Sequence, residues 1–151
     1  MSNFDIVIRK AQLSDCEDIC LIENTCFSDP WSKQSFEYQL SSNSGDILVA
    51  VVDGKIAGFI NLSCVIGELT INNIAVLKEY RKQGIADRLL ANALDKYSGS
   101  DVAFLEVRES NIPAQSLYRK HGFFKFGERK NYYRNPTENA WLMTKDMKNG
   151  Y

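Results

Sequence analysis

A short basic turn, placed between a predicted strand and a predicted helix, carries the clearest chemical signal in the sequence. It reads Arg81-Lys82-Gln83-Gly84-Ile85-Ala86 and follows the apolar run Asn73-Ile74-Ala75-Val76. The amide groups at a helix N-terminus have no partner within the helix and lie at the positive end of its dipole, so they attract phosphate oxygens. Gly84 lets the backbone approach an anion closely, and two basic side chains add positive charge. These features predict a diphosphate site, with an exposed basic loop that binds nothing as the alternative.

The same turn lacks two well-known nucleotide fingerprints. Neither GxxxxGK followed by Ser or Thr nor GxGxxG is present, which disfavours nucleoside triphosphates and nicotinamide cofactors as ligands. Metal chemistry is also disfavoured, because the only histidine is His121 and the four cysteines form no CxxC pair. We therefore predict no metal cofactor and no nucleophile system built on Cys-His or Ser-His-Asp.

Glu106 is the candidate general base. It lies in the run from Val102 to Val107 and alternates with Phe104, so its side chain shares a strand face with apolar neighbours. Such surroundings raise the pKa of a carboxyl group and suit a base that works near neutral pH. From the strand alone, an ion pair with Arg108 or Arg9 is an equally good interpretation.

The helix predicted to follow this strand contributes two further polar side chains. Tyr118 lies one turn after Ala114, where its hydroxyl could serve as a general acid or its ring could pack against the sheet. Asn111 stands at the entrance of the helix, a position typical of an N-cap residue. Taken singly, each side chain favours the structural interpretation.

Length and composition limit the class of protein. The chain has 151 residues, 44% hydrophobic and 25% charged, and its 18 basic and 19 acidic residues leave a net charge of −1. One α/β domain over residues 1–151 is expected. The near-zero net charge disfavours binding to nucleic acid or to a membrane surface through overall charge. The N-terminal residues do not resemble a signal peptide, and the longest apolar run, Ile47 to Val52, is too short to cross a bilayer. We expect a cytoplasmic protein with reduced cysteines.

The spacing of apolar residues predicts an early pair of helices, an antiparallel meander and a final strand-helix-strand-helix-strand order. Such a mixed order is typical of an α/β protein with one central sheet. The predicted strands are Phe4 to Lys10, Ile47 to Val52, Lys55 to Ser63, Glu68 to Leu77, Val102 to Val107, Lys125 to Tyr132 and Ala140 to Lys145, with a tight turn at Asp53-Gly54. The predicted helices run from Ser14 or Asp15 to Cys26, from Pro30 to Leu40, from Gly84 to Tyr97 and from Asn111 to His121.

Taken together, these segments resemble the GNAT superfamily of N-acetyltransferases. Its acetyl-CoA signature is Gln or Arg, two arbitrary residues, Gly, one arbitrary residue, then Gly or Ala, and residues 81–86 match it. The flanking segments follow in the family's order: Asn73-Ile74-Ala75-Val76, then Leu105-Glu106-Val107-Arg108, Asn111, Leu117-Tyr118 and Gly122-Phe123. The resemblance covers essentially the whole chain. It implies the GNAT fold, a single central mixed but mostly antiparallel sheet with helices on both faces, and acetyl-CoA as acyl donor without a metal.

The resemblance also implies roles for individual residues. The diphosphate of acetyl-CoA would rest on backbone amides from Lys82 to Asp87, and the pantetheine arm would lie along Ile74 to Val76, whose last amide polarises the thioester carbonyl. Glu106 would remove a proton from the incoming ammonium, and Tyr118 would protonate the departing thiolate. The implied acetyl-CoA-binding set is Ile74, Ala75, Val76, Arg81, Lys82, Gln83, Gly84, Ile85, Ala86, Asp87, Asn111 and Tyr118.

A narrower resemblance is to the bacterial ribosomal-protein-alanine N-acetyltransferases. Four segments carry it: Pro30-Trp31-Ser32, the Leu-Glu-Val-Arg strand, Asn131-Tyr132-Tyr133 and the ending from Glu138 to Met143. Ala86 replaces a glycine of many relatives, which the family pattern admits. The resemblance implies a monomer that acetylates the N-terminal alanine of a small-subunit ribosomal protein, with Trp31, Tyr132 and Tyr133 in the acceptor groove. A small-molecule amine or a lysine side chain as acceptor, and a non-catalytic acyl-CoA-binding module, are the alternatives.

Overall fold

The computed structural model describes residues 5–148, so the predicted start of the first strand at Phe4 lies outside the described residues. Within this range the strands are β1 (Ile6–Lys10), β2 (Gly45–Val52), β3 (Lys55–Val65), β4 (Glu68–Val76), β5 (Val102–Arg108), β6 (Phe124–Tyr133) and β7 (Glu138–Asp146). The α-helices are α1 (Cys16–Cys26), α2 (Lys33–Ser41), α3 (Ile85–Lys96) and α4 (Ile112–Lys120). The strands form one sheet in the order β1-β2-β3-β4-β5-β7-β6. Only β4 and β5 are parallel; the other neighbouring strands are antiparallel.

Helices cover both faces of the sheet, as predicted. Alternate residues of a strand point to opposite faces, so Ile47 and Val49 of β2 pack in the cluster of α1 and α2, while Leu48 and Ala50 pack in the cluster of α3. The side chain of Phe36, at the centre of the first cluster, is fully buried. The predicted single mixed, mostly antiparallel sheet with helices on both faces is thus confirmed. No helix within residues 5–148 combines the length and apolar character needed to span a membrane.

Local sequence signals account for several element boundaries. Asp53 and Gly54 have φ angles of 50° and 79°, as expected for the tight turn between β2 and β3. Ser32 Oγ accepts a hydrogen bond from the Ser35 amide at 3.1 Å and caps α2. The predicted side-chain cap of α1 is wrong, because the Asp15 carboxylate instead binds the Gln12 amide (2.7 Å) in a short 3-10 turn that precedes the helix.

The strands β4 and β5 stay together over only part of their length. Their parallel pairing runs from Glu68 opposite Val102 to Ile71 opposite Leu105. On its other edge β4 has a register irregularity, because Asn73 pairs with Asn61 while Ile71 pairs with Leu62, so that Asn72 is an extra residue. A bulge bends its strand locally, and beyond this point the two strands part and leave a gap.

Candidate active site

A cavity of about 710 Å³ opens where β4 and β5 part. Two groups of residues face each other across it. The inner wall consists of Glu23 of α1, then Phe27, Asp29 and Trp31 from the segment between α1 and α2, and residues 70–74 of β4. The outer wall consists of residues 104–107 of β5, Asn111, Ala114 and Tyr118 of α4, and Phe126, Arg129, residues 132–134 and Leu142 from β6, β7 and their connection.

The edge of β4 beside this gap presents backbone groups. The Leu77 amide donates to Ala57 O at 2.9 Å, which makes Ala57 and Leu77 a hydrogen-bonded pair. Because such pairs alternate in an antiparallel ladder, the amide and carbonyl groups of Ile74 and Val76 point away from β3, toward the side from which β5 has parted. Val76 O accordingly accepts a hydrogen bond from Arg81 Nε at 2.8 Å. An extended ligand can therefore add to this edge as a strand would.

The predicted diphosphate turn lies between the end of β4 and the start of α3. Lys82 and Gly84 have φ angles of 64° and 80°, and Gly84 is the N-cap residue of the helix. A Cβ added at Gly84 would meet no heavy atom within 4 Å, so the space beside its backbone is open. An anion can thus reach the unpaired amides of the first turn of α3.

Two charged side chains of this turn contact protein groups in the described structure. The Arg81 guanidinium donates to Val76 O and lies 3.6 Å from Cys26 Sγ, so it ties the turn to β4 and α1. Asp87 Oδ1 lies 2.7 Å from His121 Nε2 and 3.1 Å from Lys120 Nζ at the end of α4. These hydrogen bonds, first that of His121 and then that of Lys120, lower the pKa of Asp87. Both side chains therefore help to hold the turn in place.

The remaining predicted acetyl-CoA residues divide into backbone and side-chain candidates. The side chains of Ala75 and Ile85 are buried, so Ile85 can reach a ligand only through its backbone. The backbone groups of Ala75 face β3, by the same alternation that turns those of Ile74 and Val76 away from it. Asn111 lines the cavity, but its Oδ1 also accepts a hydrogen bond from the Ala114 amide at 3.2 Å, so it caps α4. The capping interpretation of Asn111 is thus confirmed, and its carboxamide stands at the edge of the cavity.

Glu106 lies on the outer wall, in surroundings that differ from those expected. Its side chain is 34% exposed where burial was predicted, because α1 and α2 cover this face of the sheet only over β2 to β4. Glu106 Oε2 pairs with Arg129 Nε at 2.9 Å, and Oε1 accepts a hydrogen bond from Tyr132 Oη at 3.2 Å. The predicted burial is wrong, and so are the alternative partners Arg108 and Arg9. The carboxylate is instead open to the cavity.

Tyr118 reaches the same cavity from α4. Its side chain is buried and packs edge-on against Phe123, with the ring centroids 6.0 Å apart. Burial raises the pKa of Tyr118, and the neighbouring Tyr133 acts in the same direction. The phenol therefore keeps its proton near neutral pH, as a proton donor requires.

The three predicted acceptor residues also lie on the cavity walls. Trp31 stands on the inner wall and packs against Phe36, with centroids 5.3 Å apart. Tyr132 and Tyr133 stand on the outer wall in an edge-on pair with centroids 5.1 Å apart. Burial raises the pKa of Tyr133, so its hydroxyl remains a hydrogen-bond donor. The structure thus places aromatic side chains on both walls of the cavity.

Arg108 joins the segments that carry these aromatic residues. Its guanidinium donates to Arg134 O (2.7 Å), Pro136 O (2.9 Å) and Glu138 Oε1 (3.1 Å), and it lies 4.4 Å from the centroid of the Tyr133 ring. It also lies 3.8 Å from Asp29 on the inner wall. The planar guanidinium can serve several acceptors at once. A motif residue of the Leu-Glu-Val-Arg strand therefore links the two walls at this end of the cavity.

Glu23 is a residue of the cavity that the sequence interpretation did not assign to the reaction. Its side chain is 2% exposed, and it accepts hydrogen bonds from the Trp31 amide (2.9 Å) and Asn73 Nδ2 (2.8 Å). Burial raises the pKa of this carboxyl group, while the two hydrogen bonds oppose the shift. Helical spacing could have predicted the burial of Glu23, because it lies four residues after Ile19 and three before Cys26, on the helix face that packs against the sheet.

The free edge of β4 continues from the cavity, which Glu106 and Tyr118 line, toward the glycine turn at the start of α3, an arrangement suited to group transfer from an extended anionic donor. The model of the acetyltransferase (GNAT) family matches residues 16–123, and the chain belongs to this family. The protein is therefore an acetyltransferase whose acyl donor is acetyl-CoA.

Individual relatives cover almost the whole chain. A Bacillus subtilis protein provisionally described as ribosomal protein bS18-alanine N-acetyltransferase is 38% identical over 90% of this chain and 92% of its own length. The Escherichia coli ribosomal protein bS18-alanine N-acetyltransferase is 37% identical over 83% of this chain and 86% of its own. The crystal structure of the ribosomal-protein-S18-alanine N-acetyltransferase from Escherichia coli aligns with a TM-score of 0.89 and 30% identity, over 95% of this chain and 94% of that one.

Proposed function

We propose that this acetyltransferase modifies the N-terminal amino group of a small-subunit ribosomal protein whose first residue is alanine. The observation that carries the proposal is the cavity, in which the free edge of β4 faces Glu106 and Tyr118 across the gap. The names of the relatives from Bacillus subtilis and Escherichia coli supply the acceptor, and the alignments with them span most of both chains.

Acetyl-CoA would bind with its diphosphate on the amides of the turn from Lys82 to Asp87 and its pantetheine arm along Ile74 to Val76. The open space at Gly84 and the orientation of the Ile74 and Val76 amides support this placement. The Val76 amide would then donate to the thioester carbonyl oxygen, where negative charge develops as the amine attacks. The remaining side chains of the set would shape the site around the donor.

The proton transfers follow from the states of two side chains. The Glu106 carboxylate would take a proton from the acceptor ammonium, directly or through water, because a protonated amine has no lone pair for attack. The amine nitrogen then forms the new C–N bond as the C–S bond breaks. Tyr118, whose pKa burial raises, would give its proton to the departing thiolate, and the second proton that the amine nitrogen loses on becoming an amide would restore the phenol. The ammonium must take the place next to Glu106 that the Arg129 guanidinium holds in this structure.

The acceptor would enter between the aromatic residues of the two walls. Trp31 lies on one side and Tyr132 and Tyr133 on the other, where hydroxyl groups can bind the backbone of an extended peptide. We further propose that residues 1–151 act as one domain and as a monomer, which light scattering of the purified protein tests. A ribosomal protein as acceptor would make the reaction a cytoplasmic one.

The proposal is tested with acetyl-CoA and two peptides that share one sequence. The first begins with a free alanine, carries internal lysines and includes aromatic residues; the second has the same residues but a blocked N-terminus. Mass spectrometry should find one acetyl group on the alanine nitrogen of the first peptide and none on the second. Acetylation of lysine in both peptides, or acetylation of a polyamine alone, would assign the acceptor to another class. An enzyme that ignores every amine offered contradicts the proposal.

A further inference from the structure

Glu23 is the buried carboxylate of the cavity, and the proposed proton transfers do not use it. It lies in the last turn of α1, and both of its oxygens accept hydrogen bonds, Oε2 from the Trp31 amide and Oε1 from Asn73 Nδ2. Asn73 Oδ1 in turn accepts a hydrogen bond from Asn61 Nδ2 at 2.9 Å. An ionised carboxylate can only accept, so Glu23 determines the donor direction of the whole chain from Asn61 through Asn73.

A buried carboxylate joins two elements at a cost in free energy. Burial disfavours its charged form, and the two hydrogen bonds to neutral donors offset this cost only in part. Well-packed apolar side chains would stabilise the same contact without a desolvated charge. A group that can only accept hydrogen bonds at this position therefore indicates that the contact serves to orient Trp31 and Asn73 and not to stabilise the fold.

The two donors belong to the two parts of the reaction. Trp31 lies in the segment of the inner wall whose Asp29 carboxylate accepts hydrogen bonds from the Arg134 amide (3.2 Å) and Asn135 Nδ2 (3.0 Å) across the cavity. Asn73 adjoins the β4 bulge and precedes Ile74, the first residue of the edge assigned to the acyl donor. Glu23 thus touches the acceptor segment with one oxygen and the donor strand with the other.

We propose that Glu23 is a positioning residue that fixes the acceptor segment at Trp31 relative to the donor strand β4, through an ordered chain of hydrogen bonds that continues to Asn73 and Asn61. The inference rests on the proposed function, since it concerns the mutual placement of the two substrates. It predicts that disturbing the chain lowers kcat, because attack requires alignment of amine and thioester within a fraction of an ångström. Affinity for acetyl-CoA should change little, because the diphosphate turn is built from other residues.

The test uses two single variants, each of which breaks the hydrogen bond between residues 23 and 73, and a double variant that restores it with donor and acceptor exchanged. Asn73→Asp sets a second carboxylate against Glu23 and should lower kcat on the order of 10- to 100-fold. Glu23→Gln sets two amide donors against each other and should lower kcat less, because both asparagines can turn their amides in response. The double variant E23Q/N73D restores every bond: the introduced carboxamide accepts from the Trp31 amide and donates to the introduced carboxylate, which accepts from Asn61 Nδ2. Its kcat should return to within about threefold of wild type.

Steady-state kinetics with the alanine peptide, calorimetry with acetyl-CoA and urea unfolding are measured for each variant. Asn92→Asp, on the exposed side of α3, adds the same charge elsewhere and should keep wild-type kcat. Rescue by the double variant supports the inference even if Asn73→Asp alone fails to fold. A folded double variant whose kcat stays more than about tenfold below wild type, or Asn73→Asp with wild-type kcat, overturns it. If wild type itself does not acetylate the peptide, the proposed function fails instead, so the two failures are distinguishable.

Discussion

The two walls of the cavity hold their carboxylates in opposite ways. Glu23 on the inner wall is 2% exposed and has backbone and amide donors as partners, whereas Glu106 on the outer wall is 34% exposed and pairs with the guanidinium of Arg129. The inner wall is covered by α1 and α2, while Glu106 points from β5 to a part of the same sheet face that lies outside the cluster of α1 and α2. Proximity to a substrate pocket therefore does not identify a base. A proton acceptor must be reachable by the incoming amine, and Glu23, whose pKa is raised by burial, is the less reachable of the two carboxyl groups.

The largest effect should come from removing the exposed carboxylate. Glu106→Gln keeps the size of the side chain but cannot take a proton, so kcat should fall on the order of 10²- to 10³-fold. Affinity for acetyl-CoA, measured by calorimetry, should remain. Glu109→Gln on the same chain segment is the matched control and should retain activity. If Glu23→Gln proved more damaging than Glu106→Gln, the roles assigned to the two walls would have to be exchanged.

Replacement of the buried phenol comes next in size. Tyr118→Phe keeps the packing against Phe123 but removes the proton donor, and kcat should fall about 10²-fold. Because burial raises the pKa of Tyr118, the wild-type phenol is protonated from about pH 6 to pH 9, and the loss should be constant over this range. Rates are compared at each pH with saturating acetyl-CoA. A loss that vanishes at one end of the range argues against proton donation by this group.

A smaller effect should follow from loosening the acceptor end of the outer wall. Arg108→Lys keeps the charge but cannot serve Arg134 O, Pro136 O and Glu138 together, so KM for the peptide should rise about tenfold while kcat stays similar. Initial rates over a range of peptide concentrations separate the two constants. Arg119→Lys on α4 serves as the control for the same exchange. An unchanged peptide KM would show that the segments at this end hold together without the guanidinium.

The smallest effect expected is a difference in how stability depends on pH. Burial raises the pKa of Glu23, so the protonated carboxyl group contributes to the unfolding free energy. This contribution is complete below the ordinary carboxyl pKa and is lost as the pH rises through the raised value. The unfolding free energy of wild type minus that of Glu23→Gln should therefore decrease as the pH increases from acid to neutral.

Asp46 provides the opposite case for the same measurement. Burial acts to raise the pKa of Asp46, but hydrogen bonds from Lys96, Tyr97 and Lys10 outweigh it and lower the pKa. Its contribution is present above the ordinary carboxyl pKa and is lost as the pH falls, so wild type minus Asp46→Asn should increase with pH. Urea unfolding at several pH values measures both differences. The two differences in unfolding free energy should change with pH in opposite directions. A change in the same direction would contradict the contrast between a buried carboxylate with amide partners and one with cationic partners.

Much of the fold could be predicted from local patterns. The hairpin at Asp53 and Gly54 and the helix that starts after Gly84 each depend on residues close in sequence, and the structure has them where the sequence placed them. The second helix begins at Lys33, after the Ser32 cap, and not at Pro30 as predicted. The Asp15 cap was mispredicted because the carboxylate binds the Gln12 amide, just before the 3-10 turn, and the Arg9 guanidinium, neither of which the helical pattern reveals.

The candidate site was predictable in part. The turn from Arg81 to Ala86 and the positions of Glu106 and Tyr118 follow from spacing and from the family resemblance. The surroundings of Glu106 could not be predicted in this way. They depend on how far the helices extend over its face of the sheet and on the guanidinium of Arg129 from β6, two strands away in the sheet. Glu23 escaped assignment because its partners, Trp31 and Asn73, reach it only after α1 packs against β4.

The sequence by itself determined which segments form strands and helices, where the turns lie and which residue types are present for phosphate binding and proton transfer. These properties depend on side-chain periodicity and on backbone preferences that act over a few residues. Only the tertiary structure decided that β4 and β5 part beyond Ile71, that Glu106 is open and that Glu23 is enclosed. Exposure and hydrogen-bond partners depend on which distant segments cover a side chain, and that is set when the helices pack on the sheet.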